Sequence, residues 1–352
     1  MMTDFIYINN PARIIFGAGS SQRVAEELKT LGLRRALVLS TPAQQKDAER
    51  LNDALGGLGA GVFAHATMHT PIEVTEEALR TYVELGADCV VAIGGGSTIG
   101  LGKAIAYRND APQVVVPTTY AGSEVTPILG QTENGEKTTV SAASILPEVV
   151  IYDPELTLGL PVSMSVTSAL NAMAHAVEAL YARNSNPITS LMAVEGIRAL
   201  KEALPGVVRQ PESIASRSTA LYGSWLCGTV LGTVGMALHH KLCHTLGGSF
   251  NLPHAETHAV MLPHTAAYNQ VAAADALRPV TKLFGGQLGS GLYDFAAALG
   301  APLALKDLGL NERDLDHAAD LAVKNPYWNP RPVERDAIRA LLQRAWSGLR
   351  PE

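Results

Sequence analysis

The sequence predicts an α/β N-terminal domain with a parallel sheet, followed by an all-α C-terminal domain. In the first half of the chain, short apolar runs alternate with segments of helical periodicity, which is typical of a parallel sheet with helices on both faces. Beyond Asp153–Pro161, helical periodicity dominates and β-branched runs vanish. The 352 residues also exceed the size at which one core usually stops growing, about 250–300 residues. We therefore expect two domains, at residues 1–157 and 158–352.

Each element of the first domain follows from a local pattern. Short apolar runs predict buried strands at Ala36–Leu39, Gly61–Ala64, Cys89–Ile93 and Gln113–Val116. Apolar residues at helical spacing predict helices at Gln44–Leu55, Val74–Leu85 and Ser97–Tyr107. Turn residues predict two hairpins, one within Tyr7–Phe16 around Asn9–Pro11, and one joining Thr126–Thr132 to Lys137–Val140 through Asn134 and Gly135.

The second domain is predicted to be built from helices alone. Its apolar residues recur at helical spacing in successive segments with few β-branched runs between them. The predicted helices are Val166–Ala182, Ile188–Ala203, Ile214–Leu231, Leu238–Leu246, Ala272–Phe284, Gly291–Leu299, Glu312–Val323 and Val333–Trp346.

Charge and cysteine content argue against several classes of protein. The net charge of -6 is spread along the chain without a basic block, so we expect no nucleic-acid partner. Cys89, Cys227 and Cys243 are widely spaced and form no CxxC, which argues against a disulfide framework and fits a reducing compartment. No basic-then-apolar leader and no charge-free apolar run of about 18 residues occurs, so we predict a cytoplasmic protein without a membrane span.

A glycine-rich turn indicates a phosphate site. Gly94–Ser97 follows the apolar run Cys89–Ile93 directly and opens a helix. Glycines let the backbone approach a pyrophosphate closely, and the free N–H groups at a helix start favour negative charge. The pattern is not GxGxxG, and a tight turn without a ligand would have the same residues.

A second polar segment strengthens the prediction of a bound dinucleotide. Hydroxyls and a glycine in Pro117–Ser123 follow the predicted strand Gln113–Val116, where the strand ends of an α/β sheet meet phosphate or ribose. A carboxylate after Ala36–Leu39 would hold the adenosine ribose and repel a 2′-phosphate, but Ser40–Pro42 contains none. NADH and NADPH therefore both stay open as the cofactor.

Histidines are concentrated in one stretch of the helical half, where six of the ten lie between residues 239 and 264. His240 and His244 are four residues apart on one predicted helix face, as are Asn171 and His175 on an earlier helix. His254 follows Pro253 in a predicted loop. Because imidazole is both a metal ligand and a general acid near neutral pH, we interpret these histidines as one site. The other isolated or opposite-facing histidines are interpreted as structural: His65, His69, His239 and His317.

Asn171 bears on the question of a metal. Its side chain offers a neutral carbonyl where an Asp would bring a negative charge, so Asn171 with His175, His240 and His254 makes a weak site for Fe²⁺ or Zn²⁺. We expect no bound metal.

In their order along the chain, these motifs resemble the iron-containing alcohol dehydrogenase family. The resemblance covers essentially the whole chain, and the segments that carry it are Gly94–Ser97, Pro117–Thr126, Asn171–His175, His240–Gly247 and Pro253–His254. The resemblance implies a Rossmann-like N-terminal domain and a helical C-terminal domain with a cleft between them, as in the dehydroquinate synthase-like fold. It also implies a homodimer, which is the habit of the family.

The resemblance assigns roles by position. Gly95, Gly96 and Ser97 would hold the pyrophosphate of the cofactor. Further cofactor contacts would come from Thr118, Thr119, Ser123 and, at the ribose, Lys137. The family's metal-ligand positions are occupied here by Asn171, His175, His240 and His254, and His244 matches a residue near the reacting carbon in the metal enzymes.

Two further segments, His239–His244 and Asn325–Pro330, are similar to a branch of the family that is understood to work without a metal. This branch reduces the carbon–carbon double bond of maleylacetate, a small dicarboxylate, to give 3-oxoadipate in the degradation of aromatic compounds. For that reaction we expect His244 and His254 to stabilise the enolate and donate a proton, with support from two other histidines and a carboxylate contact from a lysine: His175, His240 and Lys241. Asn325–Pro330 would cap the cleft or serve only as a packing loop, and Lys241 has the alternative of a solvated surface side chain.

Three alternatives remain open from the sequence. The chain could be a metal-dependent alcohol dehydrogenase of the same family, which would carry stoichiometric iron or zinc. A lyase resembling dehydroquinate synthase would need a tight metal site, against which Asn171 argues. A nucleotide-binding protein without catalysis would bind NADH and leave it unoxidised when maleylacetate is added.

Overall fold

The computed structural model describes residues 5–7, 12–133 and 136–352, and the side chains of residues 136 and 137 lie outside that description. Of the described residues, 12–160 form the first compact unit, and 161–352 form the second together with residues 5–7. Within the described residues, all strands lie before Leu160, and the chain from Pro161 onward is built from helices.

A six-stranded sheet forms the centre of the first unit. The strands of this unit are β1 Arg13–Phe16, β2 Ala36–Leu39, β3 Gly59–Phe63, β4 Cys89–Gly94, β5 Gln113–Pro117, β6 Ile128–Glu133, β7 Glu136–Ser141 and β8 Val149–Tyr152. The spatial order is β1-β8-β5-β4-β2-β3, and every neighbouring pair in it is parallel. The parallel sheet predicted from the apolar runs is therefore confirmed.

For the strands outside the four predicted apolar runs, the local sequence pattern predicts the structure only in part. Arg13–Phe16 does not form the second arm of an N-terminal hairpin but pairs in parallel with β8, and the predicted turn at Asn9–Pro11 lies outside the described residues. β8 was not predicted, because four apolar residues beside the domain boundary carry no period of their own. The second hairpin is confirmed, since β6 and β7 pair antiparallel, although its turn at Asn134 and Gly135 lies outside the described residues.

Helices cover both faces of this sheet. They are α1 Val24–Thr30, α2 Gln45–Leu55, α3 Ile72–Glu84 and α4 Gly96–Asn109, of which only α1 was not predicted. Successive side chains of a strand point to opposite faces, and accordingly Val38 of β2 packs in the apolar cluster that contains Leu28 of α1, whereas Leu39 packs in the cluster that contains Leu101 of α4. Burial on both faces explains why β4 and β5 are continuous apolar runs.

The second unit is a helical assembly around one buried helix. Its helices are α5 Val162–Tyr181, α6 Pro187–Arg209, α7 Ile214–Leu231, α8 Leu238–Phe250, α9 His254–Asn269, α10 Ala274–Leu283, α11 Leu288–Ala298, α12 Leu315–Val323 and α13 Arg335–Ser347. α5 is buried from Ser165 to Tyr181 and packs against α6, α7 and α9. Among the residues described, no helix combines the length and apolarity that a bilayer crossing requires.

One helix of this unit, α9, was missed. The loop predicted for His254 is wrong, because His254 is the first residue of α9. Prolines precede this helix and interrupt it, at Pro253 and Pro263, and most of its side chains are buried, so neither helix propensity nor an amphipathic pattern reveals it.

Candidate active site

The glycine turn of the first unit leaves an open helix start. Gly94 ends β4 with a φ of 155°, a conformation that disfavours any side chain, and a Cβ on Gly95 would lie 2.7 Å from Cγ2 of Thr119. A Cβ on Gly96 would meet nothing within 4 Å. No side chain caps α4. The start of α4 is therefore uncapped by a side chain and has open space beside Gly96, as anion binding at a helix N-terminus requires.

The other predicted cofactor residues surround this turn in part. Ser97 lies half-buried in the first turn of α4, and Thr119 packs against Gly95. Thr118 is buried, its N–H donates to the carbonyl of Gly94, and its hydroxyl accepts a hydrogen bond from Nε2 of Gln44 at 3.0 Å. Ser123 begins a short 3₁₀ turn beyond β5, whereas Lys137 lies in β7 with its side chain outside the described part.

A buried lysine that the sequence analysis missed holds the Ser123 segment in place. Lys103 Nζ donates to the carbonyl oxygens of Ser123 at 2.6 Å, Thr126 at 2.8 Å and Ile128 at 3.0 Å, and to the Thr126 hydroxyl at 2.9 Å. Burial lowers the pKa of Lys103 to about 7, and the charge of Glu124 acts in the opposite direction. The four acceptors favour the ammonium form, which ties α4 to the loop that carries three of the predicted cofactor contacts.

In the second unit, α5, α8 and α9 bring the histidines together. His175 lies on α5, His240 and His244 on α8, and His254 at the start of α9, which packs against both other helices. The ring centroids of His175 and His240 are 4.9 Å apart, and those of His240 and His244 are 5.9 Å apart. The rings of His254 and His240 both lie close to that of His258, at 4.4 Å and 5.1 Å. The structure thus brings all four predicted histidines into one cluster.

A buried carboxylate, Glu178 of α5, lies beneath this cluster. Its Oε2 accepts hydrogen bonds from Nδ1 of His240 at 2.7 Å and from the N–H of Ala237 at 2.8 Å, and its Oε1 accepts from the N–H of His239 at 2.6 Å. Nδ1 of His175 and Nε2 of His240 are 2.8 Å apart. Glu178 was not predicted as a site residue, although its position seven residues after Asn171 places it on the same face of α5.

Two further histidines, His239 and His258, are buried beneath the cluster, and the sequence predicts a structural role for His239. Nε2 of His239 lies 2.9 Å from Nδ1 of His258, and its Nδ1 lies 2.9 Å from the hydroxyl of Thr265. Cys243 Sγ is 3.6 Å from His239 Nε2, and the donor atoms of His239, Cys243 and His258 lie within 4.8 Å of one another. Burial lowers the pKa values of His239 and His258 well below the usual range and raises that of the Cys243 thiol. These groups are therefore neutral parts of the core under the site.

The residues with access to solvent form the upper layer of the cluster. His244, His254 and Lys241 are half-buried, whereas His175 and His240 are each only 4% exposed. Tyr327 lies against this layer, with its hydroxyl 3.3 Å from Nδ1 of His244 and its ring centroid 5.8 Å from Nζ of Lys241. An imidazole, an ammonium and a phenol thus converge where a small molecule can reach them.

The residues at the family's metal-ligand positions do not fit a divalent cation in this arrangement. Asn171, His175, His240 and His254 bring no negative charge among them. Nδ1 of His175 and Nε2 of His240 face each other at hydrogen-bond distance, so His240 has no lone pair directed elsewhere while Glu178 holds its other nitrogen.

Two models of one known family match this chain over most of its length. Its residues 11–154 match the family model described as iron-containing alcohol dehydrogenase, and residues 165–346 match the C-terminal model of the same family. The chain belongs to the iron-containing alcohol dehydrogenase family.

Within this family, the chain is similar over its full length to proteins named maleylacetate reductase. That of Rhizobium sp. (strain MTP-10005) is 68% identical over 351 residues, covering 100% of both chains. That of Burkholderia cepacia is 55% identical, covering 99% of this chain and 100% of the relative. The crystal structure of maleylacetate reductase from Agrobacterium tumefaciens superposes with a TM-score of 0.97 at 67% identity, covering 99% of this chain and 100% of that one.

Proposed function

We propose that the chain is a maleylacetate reductase, which reduces the carbon–carbon double bond of maleylacetate to give 3-oxoadipate with a nicotinamide cofactor. The observation that carries the proposal is the full-length similarity at 68% identity to a protein of that name. The histidine cluster with its solvent-accessible upper layer supplies groups suited to the reaction.

The open start of α4 supports a nicotinamide dinucleotide as the cofactor. Backbone amides of Gly96 and Ser97 at this uncapped helix start would meet the pyrophosphate, and the side chain of Thr119 packs against the same turn. Ser40–Pro42, which follows β2, has no carboxylate that would repel the 2′-phosphate of NADPH. The proposed enzyme therefore uses either NADH or NADPH. When bound, the nicotinamide supplies a hydride to the carbon β to the ketone of the substrate.

The residues of the protein then stabilise the negative charge of the intermediate and donate a proton to it. An enolate forms when hydride adds to an enone, and hydrogen-bond donors directed at its oxygen stabilise it. The half-buried imidazoles of His244 and His254 are accessible for this role and for protonation of the α carbon. Lys241, beside Tyr327, is placed to meet a substrate carboxylate. His175 and His240, buried below, support the upper layer.

A steady-state assay tests the function directly. Purified protein with maleylacetate should oxidise NADH and NADPH, at rates that are followed by the loss of reduced-nicotinamide absorbance, and 3-oxoadipate should accumulate in equal amount. Binding of NADH without its oxidation would overturn the proposal in favour of a nucleotide-binding protein.

The same assay with a chelator tests the expected absence of a metal. The donor set without a negative charge predicts an unchanged rate after treatment with a chelator. A rate that falls and is restored by Fe²⁺ or Zn²⁺ would instead favour a metal-dependent dehydrogenase.

The homodimer and the cytoplasmic location stay predictions, and the three buried, free cysteines support a reducing compartment.

A further inference from the structure

Glu178 is the best-connected acidic group of the histidine cluster, and the reaction as proposed leaves it without a role. Its side chain is 1% exposed, and burial of a carboxylate is costly unless hydrogen bonds replace its hydration. Three donors do so, namely the N–H groups of Ala237 and His239 and Nδ1 of His240. Glu178 thereby caps the start of α8 from another helix.

The two backbone donors determine how the carboxylate can bind the imidazole. An N–H group can only donate, so both oxygens of Glu178 act as acceptors. The shared oxygen Oε2 then accepts from His240 as well, which places the proton of His240 on Nδ1. A neutral His240 consequently presents a lone pair at Nε2.

That lone pair determines the state of the next histidine. Nδ1 of His175 lies 2.8 Å from Nε2 of His240, so His175 donates from Nδ1. A neutral His175 then carries its lone pair on Nε2. The hydrogen-bonded series Glu178–His240–His175 holds both rings in one orientation and one tautomer.

We propose that Glu178 is a positioning residue of the active site, which fixes the tautomers and orientations of His240 and His175 beneath His244 and His254. Its effect on turnover rests on the proposed function, whereas the proton positions do not. At metal sites, loss of such an orienting partner behind a ligating histidine typically costs about 10- to 100-fold, and we expect a loss of the same order here.

Glu178→Gln is the informative substitution because it keeps the shape and removes one acceptor. If the amide NH₂ takes the place of Oε1, it faces the N–H of His239, and two donors cannot form a hydrogen bond with each other. If it takes the place of Oε2, it meets the N–H of Ala237 and donates to His240, which reverses the tautomer. We expect kcat with maleylacetate to fall about 10- to 100-fold, with the KM for NADH unchanged. Glu178→Asp keeps a carboxylate and should recover part of kcat, and Glu202→Gln at an exposed position of α6 is the control, with wild-type kcat expected.

A double-mutant cycle separates positioning from a purely structural cap. If Glu178 acts through His240, then Glu178→Gln should reduce kcat little further in a His240→Asn background. Multiplicative losses in the double variant, or a wild-type kcat in Glu178→Gln, would overturn the proposal.

The proton positions can be measured without any substitution in the protein under test. Nitrogen-15 NMR of the full protein labelled at histidine, with the His240 signals assigned by their loss in His240→Asn, should show the proton of His240 on Nδ1. A proton on Nε2 alone would overturn the proposal even if Glu178→Gln fails to fold. If the wild-type protein does not reduce maleylacetate, the proposed function fails while this measurement still decides the role of Glu178.

Discussion

At the scale of single residues, burial divides the histidines of the cluster by what they can do. His244 and His254 are half-buried and can meet a substrate, whereas His175 and His240 lie below them and bond to each other. His239 and His258 are buried deeper still, with pKa values that burial lowers well below the usual range. A general acid must reach its substrate, so the upper layer carries the expected proton transfer.

The His244→Ala substitution tests that assignment. We expect kcat with maleylacetate to fall by about 10²-fold or more, because loss of a general acid typically costs 10²- to 10⁴-fold. Cofactor affinity, measured by NADH fluorescence, should stay unchanged. His65→Ala, which removes an exposed histidine of the first unit, is the control and should retain wild-type kcat. Near-wild-type turnover of His244→Ala would remove this residue from the chemistry.

At the scale of elements, the sequence of strand, glycine turn and helix builds the predicted phosphate site. The three glycines have different reasons to be there. Gly94 adopts a positive φ, Gly95 leaves room for Thr119, and Gly96 leaves the start of α4 open. Of the three glycines, only Gly96 has no reason within the protein itself, since an added methyl group at this position contacts no protein atom within 4 Å. A bound ligand is therefore what a side chain at Gly96 would disturb.

The Gly96→Ala substitution therefore separates binding from folding. We expect the Kd for NADH to rise about tenfold, equivalent to about 1.4 kcal/mol, because the methyl group occupies the approach of the phosphates. The Tm should stay within about a degree of the wild-type value, since nothing in the protein is displaced. Gly57→Ala, at another open glycine, is the matched control for both measurements. An unchanged Kd in Gly96→Ala would place the cofactor elsewhere.

At the scale of the whole molecule, a buried histidine makes stability depend on pH. Burial and the nearby charge of Arg344 lower the pKa of His264 to about 4, from its usual 6.5. Between these values the unfolded chain binds a proton that the folded chain excludes, so the free energy of unfolding falls as the pH drops through this window. Above 6.5 the imidazole is neutral in both states and the effect vanishes.

We predict that acid lowers the free energy of unfolding of the wild type more than that of a variant without the His264 imidazole. Between pH 7 and pH 5, His264 should account for a loss of about 2 kcal/mol in the free energy of unfolding. In His264→Met that part of the loss should disappear, as measured by urea unfolding at pH 8, 7, 6 and 5 with each protein referenced to its own value at pH 8. Parallel pH curves for the two proteins would contradict it.

The sequence by itself determined the local chemistry of this protein. Apolar runs and helical spacing identified four strands of the sheet and most helices, because burial imposes a period that residues a few positions apart reveal. Gly94–Ser97 and the paired positions Asn171/His175 and His240/His244 are also short-range patterns, and they were sufficient to indicate the family.

Only the tertiary structure decided which groups meet. α9 is buried on most sides and interrupted by Pro263, so its sequence lacks an amphipathic signal, yet it brings His258 to the cluster. Glu178 and His240 are 62 residues apart and become partners only because α5 and α8 both pack against α9. Contacts of that kind depend on how helices pack rather than on neighbouring residues, and for that reason the carboxylate beneath the histidines was invisible until the fold was known.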